Sequence, residues 1–483
     1  MGDTFLFYDI ETSGLNRAFD QILEFAAIRT DLELQEIERC SARIRLRPDV
    51  VPSPAAILVN RIRTDRLLSG RCEYEAMGEI HAHLNRPGTT SIGYNSIGFD
   101  DEFLRFSFHR NLLPPYTHQF ANRCRRMDLL PVTLMYWLHR RDLLAWPELN
   151  GKASLKLEDI GAANGLFTGQ SHAAMSDVEA ALRLARILFQ DTKMWRYLDG
   201  CFRKDTDAQR AEELPVALQS NLGAHRLGLL VASEFGTRHA FQALVLSIGN
   251  SIPYPKQTLW LRLDLPNLPE TRSDSVAETS WVARKRYGEP GILLPAHERY
   301  TELIGAERRG RSEENLDWLR SHPELFERIV LHHRHYRYPF IPDLDADAGL
   351  YQNGFFPRAD EALCRKFHDA SRPEKIDIVG RFTSREARIL AARLLYRNYP
   401  GELPDALLPE PSGHLRRIRC GEPMADYTGA FRLTPQAALA EIRQLRQSSR
   451  LDAEQMDLLD ELERYIADRL ACPPEDRPQQ DVE

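Results

Sequence analysis

Asp9 and Glu11 end an apolar run, Phe5-Leu6-Phe7-Tyr8-Asp9-Ile10-Glu11, and a Thr12-Ser13-Gly14 turn follows. On a strand, successive side chains alternate faces, so the two acids point the same way. Carboxylates sharing one face at a strand end repel each other, and a cation between them offsets that cost. The plain alternative is a strand whose acids reach solvent at a turn.

Two other stretches offer the same kind of chemistry. Gly93-Tyr94-Asn95-Ser96-Ile97-Gly98-Phe99-Asp100-Asp101-Glu102 places acids after a strand and at the start of a helix. Asp100 or Asp101 could equally cap that helix. Ser171-His172-Ala173-Ala174-Met175-Ser176-Asp177 places a histidine and an acid at another helix start. There Asp177 could serve the helix dipole, and His172 could be an ordinary surface residue.

Taken together, D-x-E on a strand, N-x3-F-D and H-x4-D before an amphipathic helix resemble the DEDD exonuclease superfamily. The histidine five residues before the last Asp marks the DEDDh branch; the other branch has Tyr four residues before, where this chain has Ala173. Phe25-Ala26-Ala27-Ile28-Arg29-Thr30-Asp31, Tyr351-Gln352-Asn353-Gly354-Phe355-Phe356 and Arg397-Asn398-Tyr399-Pro400-Gly401 look like segments of bacterial exonuclease I, and the resemblance covers nearly the full length.

The resemblance implies a 3′→5′ exodeoxyribonuclease that removes 5′-mononucleotides from single-stranded DNA, acts in DNA repair and recombination, and works as a monomer. It implies two Mg²⁺ ions, with Mn²⁺ as a substitute, because hard carboxylate oxygens suit these cations and two of them can stabilise both oxygens of an in-line displacement. Asp9, Glu11 and Asp177 are then expected to ligate metal, with Asp9 bridging. Asp100 is expected to hold the second ion and His172 to act as general base. Glu11, Arg105, Tyr116, Phe120, Lys156 and Lys204 fall where the family faces DNA. At Lys156 the family usually has Arg, so the charge is kept but not the bidentate geometry. Arg140 is the position implied for docking the C-terminal tail of single-stranded-DNA-binding protein. An exoribonuclease, a catalytically silent nucleic-acid-binding scaffold and a metal-stabilised structural protein are the competing readings.

The composition is that of a globular protein, 43% hydrophobic and 28% charged in 483 residues, with room for two to four domains. The net charge of −7 weighs against a uniformly basic nucleic-acid binder, so phosphates would need a separate basic track. Seven scattered cysteines without a C-x-x-C pair point to a reducing compartment and away from zinc or a disulfide framework. No signal peptide or membrane-length apolar run is evident, and a cytoplasmic location is expected.

The elements that must position these residues follow from pattern. Strands are expected at 5–11, 22–30, 40–47 and 90–94, and helices at 76–84, 101–110, 154–164 and 177–189. This gives a mixed α/β sheet, ribonuclease-H-like by the resemblance, with helices on both faces. Residues 1–194 are assigned to the exonuclease domain and 195–346 to a β-rich, SH3-like domain. Residues 347–472 form an all-α domain, followed by a disordered tail at 473–483. Two basic stretches stand out, Arg123/Arg125/Arg126 and Leu331–Tyr338; the second reads as a solvated loop near the DNA path.

Overall fold

The structure is a computed structural model and describes residues 2–167, 173–448 and 450–473. Its first sheet has five strands: β1 (Thr4–Thr12), β2 (Ile22–Thr30), β3 (Glu36–Arg43), β4 (Thr89–Gly93) and β5 (Arg125–Asp128). Their spatial order is β3-β2-β1-β4-β5. The β1–β2 and β2–β3 pairs are antiparallel; β1–β4 and β4–β5 are parallel. Short turns make the first two pairings possible, while the parallel strands are joined through crossing helices.

The alternation along β1 decides what lies on each face. Phe5 and Phe7 pack with helices Leu129–His139 and Ala174–Leu188. Leu6, Tyr8 and Ile10 pack with helices Glu73–Leu84 and Asp100–Arg110. Asp9 and Glu11 therefore share the face covered by Ala174–Leu188. That helix buries Ala174, Ala180, Ala181 and Ala185 beside Val178 and Leu184, small residues that let it lie close to the sheet.

Some boundaries differ from expectation. Strand β3 begins at Glu36 rather than 40, because the Asp31 carboxylate accepts from the N–H groups of Glu33 and Gln35 and closes a tight turn with Leu34 at φ 61°. The helix expected from 154 starts at Leu157, after a small hairpin of β6 (Glu148–Leu149) and β7 (Lys152–Ala153). The amphipathic helix expected from 177 starts at Ala174. Helix Leu129–His139 was not anticipated: nearly all of it is buried, so it has no polar stripe to mark its period.

A second, antiparallel sheet follows: β8 (Val216–Ser220), β9 (Gly223–Val231), β10 (Gln242–Asn250), β11 (Thr258–Arg262), β12 (Val282–Lys285) and β13 (Ile292–Pro295). Its order is β12-β11-β10-β9-β13, with β8 paired to β9. This β-rich region also carries helices Ala306–Ser321 and Pro323–His335. His332, His333 and His335 lie on the second of these, not on a solvated loop, and buried His333 meets the Ser280 hydroxyl at 2.8 Å. Beyond residue 357 the chain is helical. Thr434 caps Pro435–Ser448 by accepting from Ala437 N–H at 3.2 Å.

The hydrophobic clusters cross these regions. Phe7 and Ile92 belong to the same cluster as Leu229 and Leu261 of the second sheet. Phe19, Val50, Ile57 and Ile62 belong to one with Leu459, Leu462 and Ile466 near the C-terminus. Cys420 and Cys472 form a disulfide across 52 residues, correcting the expectation of none; the other five cysteines are free. Linear spacing hid the pair, because helices Pro435–Ser448 and Ala453–Arg469 fold back and bring the two together.

Candidate active site

Ligand oxygens of Asp9, Glu11 and Asp177 all lie within 4.8 Å of one another. The first two come from the end of β1 and the third from the first turn of Ala174–Leu188. Asp100 approaches from the start of the helix after β4, and the main chain at Ile10, the residue between the two β1 acids, favours its charged form.

The turn carrying Asp100 is built by another acid. Asp128, at the end of β5, accepts from Asn95 N–H at 2.8 Å and Ile97 N–H at 3.1 Å. It also caps its own helix through Leu130 N–H at 3.0 Å. Asn95 takes a left-handed φ of 59°. Gly93 is required just before it, since a Cβ there would stand 2.4 Å from the Ser96 Cβ. Sequence reading passed over Asp128, although an acid between a strand and an apolar helix is a cap signature.

The electrostatics are those of crowded, desolvated acids. Burial, then Asp100, Asp177 and Glu11, pushes the Asp9 carboxyl well above its ordinary range. Burial, Asp177, Glu24 and Asp100 push Glu11 up to about 8; Glu24 is its direct cross-strand neighbour on β2. Burial likewise raises Asp100 strongly and Asp128 to about 6. Asp101 behaves oppositely: Arg126, Arg105 and His118 outweigh its burial and hold it far below the usual range. An all-oxygen, acid-rich set of this kind fits a hard divalent cation.

A second acid–histidine group, Asp49, Asp347 and His414, is fully buried. Arg397 lies 2.6 Å from Asp49 and Arg393 lies 3.0 Å from Asp347, so guanidiniums already neutralise it. It is an ionic contact between the connection after β3 and the C-terminal helices.

His172 lies outside the described residues. Of the residues expected at DNA, Phe120 is 69% exposed, and Lys156 and Lys204 are exposed at helix starts. Tyr116 is half-buried and meets the ring of highly exposed Phe355 edge-on at 5.8 Å. Arg105 is buried. It is paired with Asp101 at 2.8 Å and with Glu102, bonds the Tyr351 hydroxyl at 3.0 Å, and lies 5.5 Å from the Tyr116 ring centre. Arg140 is paired with Asp142 at 3.1 Å and with Asp191. The Arg123/Arg125/Arg126 stretch is not an open basic track. These arginines pair with Asp3 at 2.8 Å, Asp199 at 2.5 Å and Asp101 at 2.6 Å respectively.

Known proteins share this fold. Residues 6–185 match an exonuclease family model, and residues 344–469 match the exonuclease I C-terminal domain. The chain belongs to the exonuclease I family. This exonuclease is 28% identical over 460 residues to exodeoxyribonuclease I of Escherichia coli, covering 90% of this chain and 93% of that protein. It is 36% identical over 188 residues to exodeoxyribonuclease I of Buchnera aphidicola subsp. Schizaphis graminum, covering 38% and 39%. The zinc-bound E. coli exonuclease I–single-stranded DNA complex matches with a TM-score of 0.84 at 26% identity, covering 97% of this exonuclease and 100% of that chain. The apo E. coli enzyme matches with 0.81 at 25% identity and the same coverage. The family and the acidic cluster together imply a divalent metal. Among the described residues, no helix of this exonuclease is long and apolar enough to cross a membrane.

Proposed function

We propose that this exonuclease degrades single-stranded DNA from its 3′ end, releases 5′-mononucleotides by hydrolysis assisted by two Mg²⁺ ions, and serves DNA repair and recombination. The observation that carries the reading is the convergence of Asp9, Glu11 and Asp177 within 4.8 Å, in a chain that follows E. coli exodeoxyribonuclease I over 90% of its length.

Asp9, Glu11 and Asp177 would hold one cation, with Asp9 and Asp100 holding the other. Two bound divalent cations supply a more acidic water and charge stabilisation on the attacking and leaving oxygens. The residues of the chain do the rest. The turn held by Asp128 keeps Asp100 beside β1. The imidazole of His172 takes the proton of the attacking water. Exposed Phe120 and the Tyr116–Phe355 pair offer aromatic faces on which bases stack without regard to sequence. Lys156 and Lys204 offer cations to the backbone.

The deciding experiment is digestion of 5′-labelled single-stranded DNA, duplex DNA and RNA of matched sequence, with Mg²⁺ and with EDTA. Metal-dependent shortening of the single-stranded DNA alone, from its 3′ end, is the expected result. Preference for RNA overturns the substrate but keeps the acid assignments. Binding without cleavage under any metal overturns the enzyme reading.

A further inference from the structure

The residue after Asp100 has more partners than Asp100 itself. The Asp101 side chain is 1% exposed, and its Oδ2 lies 2.8 Å from Arg105 Nη2 and 2.6 Å from Arg126 Nη1. Its Oδ1 lies 2.7 Å from Nε2 of buried His118. The sequence allows a helix cap here. In the structure the cap position is Phe99, which makes no side-chain cap bond, and Asp101 gathers two guanidiniums and an imidazole instead.

Each guanidinium leads to a different part of the molecule. Arg126 Nη2 reaches Glu289 at 3.0 Å, in the connection between β12 and β13 of the second sheet. Arg105 Nη1 reaches the Tyr351 hydroxyl at 3.0 Å, and that hydroxyl also bonds Glu102. Tyr351 ends the 3₁₀ turn Ala346–Tyr351 that leads into the C-terminal helices. One carboxylate is thus a node between the first sheet, the second sheet and the helical part.

Asp101 and Asp100 sit in the same first turn of helix Asp100–Arg110. Neighbouring positions on a helix project about 100° apart on one rigid backbone, so fixing one side chain fixes the direction of the other. Burial and the acids Asp128 and Asp101 act against the charge of Asp100, which has no basic partner among the described ion pairs.

We propose that Asp101 is a positioning residue for hydrolysis. It holds the first turn of helix Asp100–Arg110 so that the Asp100 carboxylate stays beside Asp9 and Glu11. Through Arg126 and Arg105 it makes that placement depend on how Glu289 and Tyr351 are docked. The inference rests on the proposed role of Asp100 as a metal ligand and adds the device that aims it.

The test compares wild type with Asp101→Asn, Glu289→Gln and Tyr351→Phe. It measures kcat and KM on single-stranded DNA against Mn²⁺ concentration, and Mn²⁺ affinity by calorimetry without DNA. Misplacing a metal-holding acid should lower kcat roughly ten- to hundredfold in Asp101→Asn and weaken Mn²⁺ binding. Glu289→Gln and Tyr351→Phe cut one arm each and should shift both readouts the same way by less. A loss confined to KM, or Mn²⁺ affinity and kcat of Asp101→Asn within about twofold of wild type, overturns the proposal. If Asp101→Asn does not fold, the single-arm variants decide, and wild-type Mn²⁺ affinity and kcat in both overturn it. A wild-type protein that cleaves no DNA refutes the proposed function separately, while unchanged Mn²⁺ affinity across the variants still refutes the positioning role.

Discussion

Asp128 is bonded to Asn95: its carboxylate accepts that N–H at 2.8 Å, and Ile97 N–H at 3.1 Å, in the turn that leads to Asp100. The turn before the third acid is therefore fastened to the end of β5 rather than left free beside the acids of β1. Like charges brought this close need such an external hold, because they repel one another until a cation arrives.

The crowding predicts a trade between stability and activity. Asp9→Asn should abolish cleavage and, in EDTA, should stabilise the fold by roughly 1–2 kcal/mol, since one raised, desolvated acid is gone. Thermal melts with and without Mn²⁺ check this. Wild type should gain in Mn²⁺ and the variant should not. A variant less stable than wild type in EDTA would contradict the crowding argument.

The buried ionic contact sets the acid limit of the fold. Burial alone would raise Asp347 and Asp49, but Arg397, with Arg393 and Arg47 respectively, holds both carboxyls well below their ordinary range. A depressed folded pKa gives stability that is present above the unfolded value, about 3.9, and lost as pH falls below it. Melting temperature should therefore drop steeply below about pH 4. Asp347→Asn should cost about 3–5 kcal/mol near neutrality, because it leaves Arg393 and Arg397 short of charge. The variant's acid slope should be shallower than that of wild type.

The disulfide gives a direct count. Thiol titration of the unfolded, unreduced protein should find five free cysteines rather than seven. Cys420→Ser should lower stability by about 2–4 kcal/mol, and dithiothreitol should lower wild type to match. Seven titratable thiols would remove the bond.

Two residues expected at DNA from the sequence should separate in their side effects. Phe120 is 69% exposed, so Phe120→Ala should weaken single-stranded DNA binding by about 1–3 kcal/mol with an unchanged melting temperature. Arg105 is held in buried ion pairs, so Arg105→Ala should lower the melting temperature as well. Fluorescence anisotropy and calorimetric melts on the same samples distinguish them.

Much of the site was readable because its signals are local. The Asp9/Glu11 spacing needs only a strand's alternation, and the helix carrying Asp177 shows its period plainly. What escaped reading depends on distant partners. Asp101 looks like a cap until Arg126 and Arg105 are seen beside it. Arg123, Arg125 and Arg126 look like a basic track until their acids arrive from residues 3, 199 and 101. His333 looks solvated in a polar string until its helix packs it against Ser280. Helix Leu129–His139 is apolar on all sides and offers no stripe to read.

The cluster that joins Phe19, Val50, Ile57 and Ile62 to Leu459, Leu462 and Ile466 also bears on the order of synthesis. Helix Pro54–Asn60 ends in Asn60, whose amide donates to the Thr12 carbonyl at 3.1 Å, one residue past Glu11. Chains fold from the N-terminus as they leave the ribosome. Here the brace behind the β1 acids waits, its apolar side uncovered, for helix Ala453–Arg469, far later in the chain. A transcript broken shortly before codon 453 would yield both family regions nearly whole and still leave that brace without its cover.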